Sequence, residues 1–198
     1  MSRQYVKPER IWLKNHPEFN ERWVQDRIAE DPSLLNLGDL VLRDRERIQP
    51  RAGRLDLLLQ DPDPQRRYEV ELQLGATDEA HIIRTIEYWD IERKRYPQYD
   101  HCAVLVAEDI TSRFLNVVQL FNGTIPLIAL QMQVLRLGER VTLVFTTVMD
   151  EMTRALSMKT RTQNQRLPIA PTGSDAQRVP RSASPIRCSR SFEASIRA

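Results

Sequence analysis

Apolar and polar positions in the first 150 residues fall into short blocks whose period switches between that of a helix and that of a strand. Residues 21–30 put Trp23, Val24, Arg27 and Ile28 on one stripe, with Asn20 in front as an N-cap and Pro32 behind, which predicts a first helix. The leucines at 34, 35, 37, 40 and 42, set around Gly38-Asp39, predict a turn into a first strand. The polar residues 43–49 continue that strand to a turn at 50–53. Residues 54–60 (RLDLLLQ) form a second strand, an apolar run broken by one acid, Asp56, and the DPDP at 61–64 is a turn. Residues 68–74 (YEVELQL) alternate strictly, so Tyr68, Val70, Leu72 and Leu74 share one face while Glu69, Glu71 and Gln73 share the other, and Gly75 ends the strand.

A longer helix is predicted over 78–95, with Ile82, Ile83, Ile86 and Trp89 on its apolar side, His81, Arg84, Tyr88 and Glu92 on another side, and Pro97 as a stop. Residues 102–107 (CAVLVA) read as a fully buried strand, and 111–121 as an amphipathic helix closed by Asn122-Gly123. Residues 125–133 are a further strand, and 135–148 a final hairpin around Gly138-Glu139. The order α, β, β, β, α, β, α, β, β implies an α/β (α+β) fold with a mixed central sheet and helices on both faces. The chain divides into a lead-in over 1–17, interrupted by Pro8 and Pro17, one domain over 18–150, and a tail over 151–198. Its 198 residues are enough for one well-buried core.

Charge separates the tail from the body. Residues 154–198 carry nine Lys or Arg against Asp175 and Glu193, a net of +7, which leaves −5 for residues 1–153 out of +2 overall. With four prolines, many serines and no apolar period, the tail has the composition of a disordered segment. It is either a basic arm that meets nucleic acid or an extension without a role. No apolar run approaches the roughly 18 residues of a membrane span, and the charged N-terminus is unlike a signal peptide, so a cytoplasmic protein is expected. Two cysteines, Cys102 and Cys188, make neither a disulfide framework nor a four-ligand zinc site by themselves.

The chemistry gathers on the hairpin. An acid in one strand and an acidic face on the next bring Asp56 close to Glu69, Glu71 or Gln73. Converging carboxylates form an oxygen-rich site suited to a hard cation such as Mg²⁺, which can hold a phosphate oxygen and a water together. The same alternation is also that of an edge strand with one solvated face.

These blocks resemble the PD-(D/E)xK nuclease superfamily, with its restriction-endonuclease-like αβββαβ core. The resemblance rests on Glu21 in the first helix followed by IAEDPSLL, then GRLDLLLQDPD, then YEVELQLG and a helix. It implies a metal site made by Asp56, Glu71 and the backbone carbonyl of Leu72, with Glu21 joining through water and Mg²⁺ or Mn²⁺ as cofactor. The family's usual lysine is replaced by Gln73, an E-x-Q form, which hydrogen-bonds a water but carries no positive charge. A second frame, Glu69-Val70-Glu71, makes Glu69 an additional ligand. The resemblance further implies Mg-dependent hydrolysis of phosphodiester bonds in DNA, alone, as a homodimer or with a partner protein. Loss of the lysine keeps open a catalytically inactive module of the same fold that binds nucleic acid or another protein.

His81 and Arg84, one turn apart after the motif, are candidates for contact with a phosphate, Arg84 through its bidentate guanidinium. An exposed helix face with Arg84 paired to Glu87 or Tyr88 accounts for the same pattern. Trp12, Trp23 and Trp89 read as core or interface residues, and Arg93, Lys94 and Arg95, beside Asp90 and Glu92, as an ion-paired helix end rather than a track for a nucleic-acid backbone. No G-x-x-x-x-G-K-[ST], G-x-G-x-x-G, G-x-S-x-G or H-E-x-x-H occurs, so nucleotide-loop, α/β-hydrolase and zincin readings lack their signatures.

Overall fold

A computed structural model describes residues 5–62 and 66–152. The turn expected at 61–64 lies partly outside these residues, and the tail from 153 onward wholly so. The fold is α+β, a seven-stranded mixed sheet with helices on both faces. In chain order the elements are β1 (Glu9–Ile11), α1 (Glu21–Glu30), a 3-10 turn (Pro32–Leu35), β2 (Val41–Gln49), β3 (Gly53–Gln60), β4 (Arg66–Ala76), α2 (Glu79–Arg95), β5 (Asp100–Asp109), α3 (Ser112–Phe121), β6 (Leu127–Leu137) and β7 (Arg140–Met149).

β2, β3 and β4 form an antiparallel meander, while β4, β5 and β6 run parallel because α2 and α3 carry the chain back between them. β7 folds back antiparallel on β6. The lead-in adds an element the periodicity did not mark, since β1 pairs antiparallel with β6 through Glu9–Ile11. Just beyond it, the buried carboxylate of Glu108 accepts the N–H groups of Leu13 at 2.6 Å, Lys14 at 3.2 Å and Gly75 at 2.6 Å. One side chain thus satisfies backbone donors from two segments that have no ladder partner there.

Each helix covers a face of the sheet for a readable reason. Asn20 caps α1 by accepting from the N–H of Trp23 at 3.0 Å, and Val24 and Ile28 pack fully buried against Leu57, Leu59, Val70 and Val104. On the other face Ile82, Trp89 and Val118 of α2 and α3 pack on Ala103, Leu105 and Ala129. The parallel centre, buried on both faces, is the continuous apolar run of residues 102–107.

Two expectations are corrected. β4 is not an edge strand with a solvated polar face: it lies between β3 and β5 under α2, and Glu69 and Glu71 are 0% and 4% exposed. In α2 the inward row is His81, Ile82, Thr85, Tyr88, Trp89 and Glu92, while Ile83, expected on the apolar side, is 62% exposed. The polar row turns inward because the strand beneath it presents carboxylates rather than an apolar surface.

Candidate functional site

The site forms where two strands part. β3 and β4 pair from Leu57–Val70 to Gln60–Arg67. Toward its start β3 stays with β2, with Leu55 opposite Arg47 and Gly53 opposite Gln49. Past Val70, β4 continues along β5, with Glu71 opposite Leu105. The fork leaves the N–H of Leu72 without a strand partner, and the Asp56 carboxylate supplies one, Oδ2 accepting at 2.7 Å. Its other oxygen, Oδ1, accepts from Gln25 Nε2 of α1 at 2.9 Å. Between the Arg45–Leu57 and Arg47–Leu55 pairs of the β2–β3 ladder, Glu46 adopts φ of +47°, the left-handed region that non-glycine residues rarely enter. Both Glu46 and Arg54, which are ion-paired at 3.2 Å, line the cleft.

Glu71 lies directly against Asp56. Its Oε1 accepts from Arg84 Nε at 2.8 Å, and its Oε2 is buried with no hydrogen-bond partner. Burial pushes Asp56 up to about 7, with the negative charge of Glu21 adding to the shift and the Leu72 N–H opposing it. Burial also pushes Glu71 up to about 8, reinforced by the charge of Asp56 and opposed by Arg84. Glu21, the first residue of α1, is raised by burial too. These groups open on a cleft of about 260 Å³ lined by Glu21, Asp56, Glu71, Leu72, Arg84 and Tyr88 along with the Glu46–Arg54 pair.

Glu21, Asp56, Glu71, Leu72 and Arg84 are therefore brought together, and Glu69, Gln73 and His81 do not line the cleft. Glu69 sits one pleat back, fully buried, with Oε1 2.7 Å from Nδ1 of His101. Gln73 is tied to the start of α2, its Nε2 donating to Ala76 O at 2.8 Å and Asp78 Oδ2 at 3.1 Å. The His81 ring is buried beneath the strand, with Nε2 3.2 Å from the carbonyl oxygen of Glu71, and burial pushes its pKa down to about 4, so it is a neutral support of β4. Arg84 reaches the carboxylates from the rim with 40% of its side chain exposed, paired to Glu71 rather than to Glu87 or Tyr88, and His81 is buried rather than on an exposed face. Gln25, Tyr88 and Glu46 carried no motif in the sequence. Only the spacing of Gln25 one residue from Val24 in a buried stripe hinted that a polar side chain of α1 meets the sheet.

The donor chemistry fits a divalent cation of the Mg²⁺ kind. Among the described residues no three His, Cys, Asp or Glu side chains gather into a cluster, so the donors are the Asp56–Glu71 pair. Mg²⁺ is commonly held by one or two carboxylates with waters and substrate phosphate completing its shell. The burial that raises both carboxyls, with neighbouring negative charge adding to it, and the unpartnered Glu71 Oε2 mark a place where added positive charge is favourable.

No family model matches the sequence, and no curated protein matches it. Among solved structures the chain is similar to EndoMS in a complex with double-stranded DNA, at 21% identity and a TM-score of 0.47, over 56% of this chain and 44% of that one. It is similar to a repair endonuclease from Pyrococcus abyssi at 22% identity and a TM-score of 0.44, over 53% and 45% of the two chains. A third is SfsA from Pyrococcus furiosus in complex with Ca²⁺, at 12% identity and a TM-score of 0.39, over 68% and 66%. The match spans less than half the length of each of the first two. With TM-scores below 0.5, none of these likenesses bears on the chemistry of this chain.

Proposed function

We propose that this chain is a Mg²⁺-dependent nuclease of the PD-(D/E)xK kind that hydrolyses phosphodiester bonds in DNA. The observation that carries the reading is the Asp56–Glu71 pair: two carboxyls held together at a strand fork, raised to about 7 and about 8, facing an open polar cleft. Asp56, Glu71 and the Leu72 backbone would hold the cation, which when bound would polarise a phosphate oxygen and acidify a water. Arg84 donates to Glu71 through Nε while 40% of its side chain is exposed, and its guanidinium has the planar donor fork that matches a phosphate. Glu21 at the mouth of the cleft supports the water shell. Gln73 stands outside the cleft with its Nε2 committed to Ala76 O and Asp78 Oδ2, so a role toward the water would require that side chain to leave the start of α2.

The commitment of Gln73 to the α2 cap also favours a second reading, an inactive module of the same fold that binds nucleic acid without cutting it. Cleavage of supercoiled plasmid and single-stranded DNA with Mg²⁺ or Mn²⁺ separates the two. The native chain is expected to cut, and Asp56→Asn, which keeps an acceptor for Leu72, is expected to lose about 100-fold or more in rate while staying folded. Equal rates for both proteins would remove the carboxylate pair from the chemistry. Mg²⁺ and DNA binding without cutting would leave the second reading.

A further inference from the structure

We infer that Gln25 is the positioning residue that fixes the Asp56 carboxylate for cation binding, in a relay that begins at Arg45. The inference rests on the metal-site reading above. Gln25 is 2% exposed and stands behind the site rather than in the cleft. Its Oε1 accepts from Arg45 Nε at 3.2 Å, and its Nε2 donates to Asp56 Oδ1 at 2.9 Å. Which end of the amide faces which partner is dictated by chemistry: a guanidinium only donates, so it must meet the oxygen, and a carboxylate then meets the NH₂. Arg45 is itself held from two sides, by the Asp26 carboxylate at 2.5 Å and the Arg22 carbonyl at 3.3 Å.

Asp56 therefore receives one hydrogen bond on each oxygen from different elements, Gln25 of α1 and the Leu72 N–H of β4. Two such bonds fix the carboxylate plane and leave one lone pair on each oxygen for a ligand. Glutamine suits this place better than a second acid, because it supplies a donor to Asp56 without adding negative charge beside Glu21, Asp56 and Glu71. Groups that orient a metal-binding carboxylate commonly change metal affinity 10- to 100-fold when removed, roughly the effect expected here.

The test uses the full chain and Mg²⁺ alone. Calorimetric titration compares the native protein with Gln25→Met, which keeps length and burial but donates nothing, Arg45→Met, which releases the relay, and Asp26→Asn, which touches Arg45 but not Gln25. Thermal midpoints of the metal-free proteins and the side-chain amide ¹⁵N–¹H signals of Gln25 are recorded alongside. The expected result is about 10- to 100-fold weaker Mg²⁺ binding for Gln25→Met. A smaller loss is expected for Arg45→Met and none for Asp26→Asn, with a Gln25 amide signal that moves on Mg²⁺ addition and in Asp56→Asn. Weakening that tracks the fall in thermal midpoint across all three variants, with a Gln25 amide indifferent to Mg²⁺, makes Gln25 merely structural and overturns the inference. If Gln25→Met does not fold, Arg45→Met decides, since unchanged affinity there breaks the relay. If the native chain binds no Mg²⁺, the metal reading fails first, and the response of the Gln25 amide to Asp56→Asn alone shows whether it holds that carboxylate.

Discussion

At the scale of single residues the informative feature is that Asp56 and Glu71 are both raised, which makes stability depend on pH in a definite direction. A carboxyl raised in the folded state keeps its proton where the unfolded chain has lost it, so folding takes up protons between roughly pH 4 and 8. The stabilisation is complete below the ordinary carboxylate range and is lost as pH climbs through about 7 to about 8. Each proton involved is worth about 1.4 kcal/mol per pH unit across its window, and about 2–4 °C of melting temperature accompanies each kcal/mol in a chain of this size. The metal-free protein is therefore expected to melt at falling temperature from pH 5 to pH 8.5, and Asp56→Asn to flatten the slope by removing one of two like charges. Mg²⁺ at pH 8 is expected to raise the native melting temperature and to leave that of Asp56→Asn nearly unmoved. Parallel slopes for both proteins in a calorimetric pH series would show that the two carboxyls are not crowded as described.

At the scale of elements, α2 shows both how far a sequence can be read and where reading stops. Its bounds were legible to within a residue, because Asp78 caps it, accepting from the His81 N–H at 2.8 Å, and Pro97 stops it. Its face was not, because periodicity assigns polar side chains to water, and here they point at buried partners. Glu92, fully buried, takes Arg47 at 3.0 Å, Arg95 at 2.8 Å and Gln49 at 2.8 Å, while Ile83 faces out. The same limit applies to the site. Asp56 stood out as the one acid of an apolar strand and Glu71 as one of three polar positions on the next, chosen among them by the resemblance, but the side-chain-to-backbone bond closing the fork at Leu72, the Gln25 relay, and the diversion of Glu69 to His101 depend on pairings 16 to 32 residues apart that no local pattern encodes. Removing one member of a buried ionic cluster strands the others, at a cost of about 3–5 kcal/mol. Glu92→Ala is expected to lower unfolding free energy by that amount in urea titration, whereas Ile83→Lys, at an exposed position, is expected to stay within about 0.5 kcal/mol of native. An equal loss in both would place the polar row of α2 on the outside after all.

At the scale of the whole molecule the fold and the charge pull in different directions. The sheet and its helices hold the carboxylate fork in place, since β3, β4, α1 and α2 each contribute a residue that touches or faces it. Yet residues 1–153 carry a net charge of −5, which repels a phosphate backbone, and the positive charge sits in residues 154–198 at +7. A cation bound at Asp56 and Glu71, as proposed, would offset the repulsion locally but leave the long-range field acidic. The tail's nine Lys and Arg, set among only two acids, would then supply most of the non-specific attraction to DNA. On duplex DNA, log affinity falls with log salt by a slope of roughly 0.9 for every phosphate that the protein neutralises. A chain ending at residue 153 is therefore expected to bind duplex DNA more weakly at about 50 mM salt and with a slope shallower by several units, while keeping its Mg²⁺ affinity, because every proposed ligand lies before Leu74. Fluorescence anisotropy between about 50 and 200 mM salt reads both quantities. An unchanged slope would mean that the body, despite its charge, grips the DNA through Arg84 and its neighbours, and that the tail is an extension without a part in binding.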